Sequence, residues 1–249
     1  MTIGMLLISK SELYLVATLL ISASAHTMTL TAAIGEYPPY TSAGDAEARL
    51  AEELVIASYQ AVGYQVNLRR VPWKRAYEEV KSGKSDITFP WIKTPERDKF
   101  FLYSNEFLVT QEVFLYHVDA NFSWSNLDDL KSYKIGATQG YAHVKLFQEA
   151  GVPIQVALDD LLNIDKLLKH RIDAFPIGEK VASYHLSASS SEFKEKISVH
   201  HLPLFKNQNF VLAGKAIPKR SKILLEKFNQ GLAIIKQNGQ FEKIMDKYK

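Results

Sequence analysis

Three segments rich in aromatic residues and proline mark where this chain could do chemistry: Glu36-Tyr37-Pro38-Pro39-Tyr40, Val71-Pro72-Trp73-Lys74-Arg75, and Phe89-Pro90-Trp91-Ile92-Lys93-Thr94-Pro95-Glu96-Arg97. Proline fixes the backbone and lowers the entropy cost of presenting a ring. Tyr37 can therefore face a ligand or simply pack its own loop, and Trp73 can stack on a ligand or staple a helix to a sheet. Trp91 and, six residues on, Arg97 add a second indole and a guanidinium. This is equipment for holding a small molecule rather than for breaking one, because no GxSxG, HExxH, P-loop or dinucleotide-binding glycine pattern accompanies it. The absence of cysteine from all 249 residues excludes thiol catalysis, iron–sulfur clusters, zinc fingers and disulfide scaffolds. Seven histidines and 27 carboxylates leave a His/Asp/Glu metal site open in principle. The adjacent His200 and His201 do not suggest one, since neighbours on a strand point to opposite faces, and the sequence leads us to expect neither a metal nor another cofactor.

These loops need elements to hold them, and the hydrophobic pattern supplies an alternating series. Met28 to Ile34 reads as a strand. Ala46 to Val62 reads as a helix with Leu50, Leu54, Ala57 and Ala61 on one face, stopped at Gly63. Gln65 to Val71 is a strand, Pro72 opens a helix through Val80, and Asp86 to Phe89 is a short strand, giving the βαβαβ order of a mostly parallel sheet. The pattern from Ala61 to Trp91 returns from Glu149 onward, at an offset of 86 to 88 residues, with a helix-ending Gly, a strand, a helix, an Asp and a Phe-Pro exit. Two similar α/β lobes follow from that repeat. The extended stretches Gln111 to Val118 and Ile197 to Gly214 read as two crossings between the lobes, with the last helices returning to the first lobe. Ligands of open α/β sheets bind beyond the carboxyl ends of the strands, which is where the three segments lie.

The N-terminus carries a different message. A polar start with Lys10, a nine-residue run from Leu13 to Ile21, and the small residues Ala23 and Ala25 have the layout of a secretory signal cleaved after Ala25. The run covers about half of the roughly 20 residues needed to span a bilayer, and the lack of a nearby cysteine argues against a lipid anchor. The expected product is a periplasmic protein. Its net charge of +3 gathers near the C-terminus, where the lysines alternate with Leu224, Phe228, Leu232 and Ile235 at helical spacing. That is the polar face of amphipathic helices rather than a nucleic-acid patch.

The series EYPPY, VPWKRAYEEVKSGKSD, TPERDKFFLYS, IGATQGY and RIDAF, followed by LLEKFNQGL and the ending FEKIMDKY, resembles the family 3 extracellular solute-binding proteins. Those are the amino-acid-type substrate-binding components of ABC importers. The resemblance implies an α/β, type II periplasmic-binding-protein fold, with mixed sheets, flanking helices and a two-strand hinge. It divides the chain into a signal peptide at 1–25, a first lobe of 26–117 and 204–249, and a second lobe of 118–203.

The resemblance also implies roles. Arg97 matches the arginine that clasps a ligand carboxylate, a role suited to the planar fork of a guanidinium; the bland alternative is an ion pair with Glu96 or Asp98. Tyr37 and Trp73 match the two positions that sandwich the ligand's side chain. Departures from the pattern put Pro90, Trp91 and Ile92 where hydroxyl side chains are usual, leaving Thr94 as the nearby hydroxyl, and put Tyr141 and Ala142 where the second lobe usually offers two hydroxyls at a helix N-terminus. The acid that meets the ligand's ammonium is ambiguous: counting forward from Asp173 reaches Gly178, while counting back from Val181 reaches Glu179, the candidate.

The expected function is capture of an amino acid or related carboxylate between the lobes and delivery to an inner-membrane permease, by a monomer with no nucleic-acid partner. A dehydratase-like enzyme on the same scaffold, using Glu179, His143 or Glu36, and a ligand-sensing partner of a receptor kinase are the alternatives.

Overall fold

A computed structural model describes residues 28–187 and 189–248. The signal-peptide expectation for residues 1–25 lies outside the described residues. The first strand is β1 (Met28–Ile34), and helix α1 runs from Leu50 to Gln60. The sequence places the start of that helix earlier, at Ala46. The difference has a local cause: Leu50 N donates to Pro39 O (3.0 Å) and Ala51 N to Tyr40 O (3.0 Å), so the proline-rich loop itself satisfies amides that a helix start leaves without partners. There follow β2 (Tyr64–Arg70), α2 (Trp73–Lys81), β3 (Ile87–Ile92) and β4 (Phe101–Tyr103).

The second series comprises β6 (Ile135–Thr138), α3 (Ala142–Glu149), β7 (Ile154–Ala157), α4 (Asp160–Leu168), β8 (Ala174–Gly178), α5 (Glu179–Ser187) and α6 (Ser191–Lys196). Two long strands join the series, β5 (Leu108–His117) and β9 (Ile197–Gly214). The chain closes with α7 (Pro218–Gln237) and α8 (Gln240–Lys247).

The strand order β2-β1-β3-β9-β5-β8-β6-β7, with β4 also on β9, turns the repeat into geometry. In the first half β1 lies between β2 and β3, and in the second β6 lies between β7 and β8, all parallel. Between them the antiparallel β5 and β9 form the ladder that links the halves. That ladder is interrupted at Glu112/Val113 and Val113/Leu115, where Val113 faces Pro203. Proline brings no N–H to a ladder, so the crossing is weakest in its middle.

The interior is built from both series. Leu30, Ile34, Leu54, Val55 and Tyr59 pack with Phe228 and Leu232 of α7, and Tyr59 Oη donates to Leu224 O (3.1 Å). Phe114, Phe122, Trp124, Leu130, Ile135 and Phe147 make a separate cluster in the second half.

The buried carboxylates of Glu79 and Glu52 brace the first half. Glu79 accepts from Arg69 (2.8 and 3.1 Å), Arg75 (3.0 Å) and Ser85 (3.1 Å). The hydrogen bond from Arg69, with those from Arg75 and Ser85, holds its carboxyl down at about 2 against burial acting the other way. A carboxyl whose folded value is depressed contributes stability above its unfolded value, and that contribution is lost as pH falls through the folded value. Glu79→Gln is therefore expected to lower the unfolding free energy at pH 7 and to converge with the parent protein as pH falls from roughly 4.5 toward 2. Urea unfolding of the two proteins across that range checks it. A gap that persists undiminished at low pH would show that packing, not charge, is what Glu79 supplies.

Candidate functional site

Two groups of side chains meet at the turn after β1. The first belongs to the first strand–helix series alone. The Trp73 indole lies across Gly35, where an added Cβ would sit 2.6 Å from the ring, so only glycine lets the ring come this close to the backbone. Trp73 Nε1 donates to Glu36 O (2.9 Å), and Trp73 therefore does staple α2 to the end of β1. Trp91, at the end of β3, meets it edge-on with ring centres 5.3 Å apart and donates to Thr88 Oγ1 (2.8 Å). The Arg97 guanidinium lies over the Trp91 ring at 4.7 Å and donates to Ile92 O (2.8 Å), while Thr94 Oγ1 accepts from Arg97 N (3.3 Å). The carboxyl groups of Glu96 and Asp98 do not pair with it, and Arg97 has no ion pair among the described residues. Burial pulls its pKa below the ordinary arginine value, against the opposing pull of Tyr103, Tyr77 and Glu96. A half-buried cation held by a ring face and one carbonyl still lacks an anion.

The second group gathers residues from both halves. Tyr37 stacks on Tyr40 (5.2 Å) and meets Tyr141 edge-on (6.4 Å). Its hydroxyl stands 3.1 Å from where a Cβ on Gly178 would be, so it occupies the room a side chain at 178 would take. Behind Tyr141 is Asp160, at the start of α4, which accepts from Thr138 Oγ1 (2.6 Å) and Tyr141 Oη (3.0 Å). Burial raises the Asp160 pKa, with those two hydrogen bonds pulling it back. Burial likewise drives Tyr37 and Tyr141 well above the usual phenol value, and the charges of Glu112 and Asp160 add to the rise in both.

Alongside lies a buried pair. His143 Nδ1 is 2.8 Å from Glu112 Oε2, and His143 Nε2 is 3.1 Å from Thr138 N. A backbone N–H can only donate, so Nε2 carries the lone pair and the proton is assigned to Nδ1, facing Glu112. Glu179 opens α5, is exposed, and accepts from Gln111 Nε2 (2.6 Å). With Tyr40, Gln111, Lys180 and Lys206 it lines a pocket of ≈ 150 Å³ against the crossing strands. A larger hollow of ≈ 300 Å³, on the Leu158 and Leu162 side of α4, contains none of these residues.

The structure thus brings Trp73, Trp91, Thr94 and Arg97 together on one side and Tyr37 with Tyr141 on the other, with Glu179 set apart beside Gln111. Sequence reasoning missed Asp160, Glu112 and Thr138. Asp160 follows the carboxyl end of β7, so the rule that selects strand-end loops could have found it. The preceding Asp159 takes the capping role, accepting from Leu162 N (2.8 Å), and this frees Asp160 to face Thr138 and Tyr141. Nothing in the sequence distinguishes those two aspartates.

The two groups therefore differ in charge: a guanidinium on an indole in one, and carboxylates among phenols in the other. Together they offer partners for both an anion and a cation. No helix among the described residues is long and apolar enough to cross a membrane.

The model for bacterial extracellular solute-binding proteins, family 3, matches residues 31–249. The ABC transporter arginine-binding protein 1 of Escherichia coli (strain K12) is 26% identical over 230 residues, covering 85% of this chain and 86% of that protein. The arginine-binding extracellular protein ArtP of Bacillus subtilis (strain 168) is 23% identical over 220 residues, covering 86% and 82%. Among solved structures, an ancestral arginine-binding protein bound to arginine superposes with a TM-score of 0.73 at 22% identity, covering 88% of this chain and 97% of that one. The fold is that of a periplasmic binding protein.

Proposed function

The chain belongs to the bacterial extracellular solute-binding proteins of family 3, and from that premise we propose that it captures a cationic amino acid, or a carboxylate of similar charge pattern, between two lobes. The lobes in this reading are residues 26–117 with 204–249, and 118–203. The observation that carries the reading is the unpaired Arg97 on Trp91, matched on the other side of the turn by Asp160 and Glu112 among three tyrosines. Arg97 with Thr94 receives the ligand carboxylate. Trp73, Trp91, Tyr37 and Tyr141 supply the flat walls. Asp160 meets the distal cation, and Glu179, steadied by Gln111, is the candidate partner of the ammonium.

Both curated relatives are named as arginine-binding proteins, which favours capture over turnover. Closure of the lobes about the interrupted β5–β9 ladder would seal the ligand from water and present the closed form to a permease. A leader removed after Ala25 would place a monomeric product in the periplasm.

Ligand screening tests the proposal: purified protein, unfolded and refolded to release anything carried through, is titrated with arginine, lysine, ornithine, glutamine and glutamate by calorimetry. The basic amino acids should bind at least about tenfold more tightly than glutamate, and Asp160→Asn should remove most of that preference, since a charge-assisted hydrogen bond is worth about 1.5–3 kcal/mol. Equal or tighter binding of glutamate would reject the cationic ligand class, and no heat from any amino acid would reject the reading as a whole.

A further inference from the structure

At the end of the second half remote from the cleft, three side chains with metal-binding atoms converge. His117 ends β5, Asp119 follows two residues later, and His170 lies in the turn between α4 and β8. His117 N donates to Asp173 O (3.3 Å), which fixes that corner to the start of β8, while Gly178, at the other end of the same five-residue strand, faces Tyr37. At about 3.3 Å per residue the two corners are roughly 15 Å apart. The His117 and His170 rings approach to 3.9 Å between centres, and His117 Nδ1 is 3.6 Å from Asp119 Oδ2. One ligand atom from each residue lies within 4.8 Å of the others.

Three details define this corner. His170 takes a left-handed backbone conformation, with φ of 53°, where α4 ends: His170 N donates to Leu167 O (3.1 Å) and Arg171 N to Lys166 O (2.9 Å), closing the last turn of the helix. His117 is 3% exposed, and its Nε2 has no hydrogen-bond partner. Asp119 N donates to His117 Nδ1 (3.2 Å), so Nδ1 carries its lone pair on the Asp119 side, and a cation held there takes that lone pair in place of the Asp119 amide. That nitrogen, the Asp119 carboxylate and the second imidazole are a nitrogen–nitrogen–oxygen set on one point of the surface.

We propose that His117, Asp119 and His170 bind a divalent zinc ion in the second half of the molecule, clipping the end of β5 to the turn before β8. Zinc takes imidazole nitrogen and carboxylate oxygen at about 2.0–2.2 Å, tetrahedrally, so neighbouring donors stand about 3.3 Å apart. The His117–Asp119 separation is already close to that value. The remaining contraction falls on Asp119 and His170, both exposed. Water fills the fourth position. Calcium and magnesium, which require oxygen ligands, are poor matches.

The test uses tag-free protein stripped with a chelator. His170→Gly is the informative variant, since it removes the imidazole while relieving the left-handed backbone, and Asp119→Asn is the second. Calorimetry with Zn²⁺ should show one site per chain with Kd in the micromolar range. The affinity should fall at least tenfold in Asp119→Asn, and the site should vanish in His170→Gly. Saturating Zn²⁺ should raise the Tm of the parent by at least about 3 °C and leave His170→Gly unmoved, while Mg²⁺ moves neither. Absence of stoichiometric binding at 100-fold excess, or binding unchanged in His170→Gly, would overturn the assignment. Amino-acid binding is measured separately, so the outcome is independent of the ligand proposed for the cleft.

Discussion

Replacing Arg97 by methionine is expected to weaken binding of the best carboxylate ligand by about 10- to 150-fold, corresponding to roughly 1.5–3 kcal/mol for a charge-assisted hydrogen bond. The upper part of the range is the better expectation. Arg97 is half-buried on the Trp91 ring, with one carbonyl partner and no acid, so little of its charge is already spent within the protein. A ligand carboxylate that arrives without it is desolvated and unpaired. Methionine keeps most of the side-chain volume against the indole, and the apo protein should lose little stability. Lysine at 97 should fall between, because it restores charge but not the two parallel donors of a guanidinium. Calorimetry on the three proteins measures the ranking directly, and unchanged affinity in the methionine variant would remove Arg97 from the site.

What could be read from the sequence, and what could not, divides along a physical line. The alternation of strands and helices, the repeat and the two crossings depend on the periodic placement of apolar residues, which is local. β1 (Met28–Ile34) coincides with its sequence reading, and β5 and β9 occupy the stretches read as crossings. The start of α1 was misplaced because its first amides are satisfied by carbonyls of Pro39 and Tyr40, a loop contact that no periodicity reports.

The candidate site divides the same way. Tyr37, Trp73, Trp91 and Arg97 announce themselves through residue type and loop position. Asp160 and Glu112 do not: one is the second of two adjacent aspartates, and the other sits at an irregularity in β5 that decides which face it presents. The Gly178 ambiguity is likewise a matter of three dimensions. The Tyr37 hydroxyl, 141 positions earlier in the chain, is what occupies the space beside it.

The largest stability effect should come from Glu52, a residue that touches no candidate ligand position. It is 2% exposed, and its carboxylate takes both arms of Arg70 (2.9 and 2.7 Å) and the amide of Ser42 (2.9 Å). Those three bonds join α1, the end of β2 and the loop that carries Tyr37 and Tyr40. Removing one member of a buried pair strands the other charge, which typically costs 3–5 kcal/mol. The Arg70 side chain is 27% exposed and recovers part of its hydration, so about 3 kcal/mol is expected for Glu52→Ala, a fall in Tm of roughly 6–12 °C.

The pair itself need not be worth that much, because burying both charges also costs desolvation. Glu52→Leu combined with Arg70→Met should therefore regain most of the loss, leaving only the Ser42 amide without its acceptor. Thermal unfolding of the single and double variants separates the two accounts. A double variant as unstable as Glu52→Ala would mean that the ion pair contributes net stability, whereas recovery would mean that its part is to hold the Tyr37 loop in one conformation. In the second case the double variant should fold well yet bind ligand more weakly, since the loop would no longer be tied to β2.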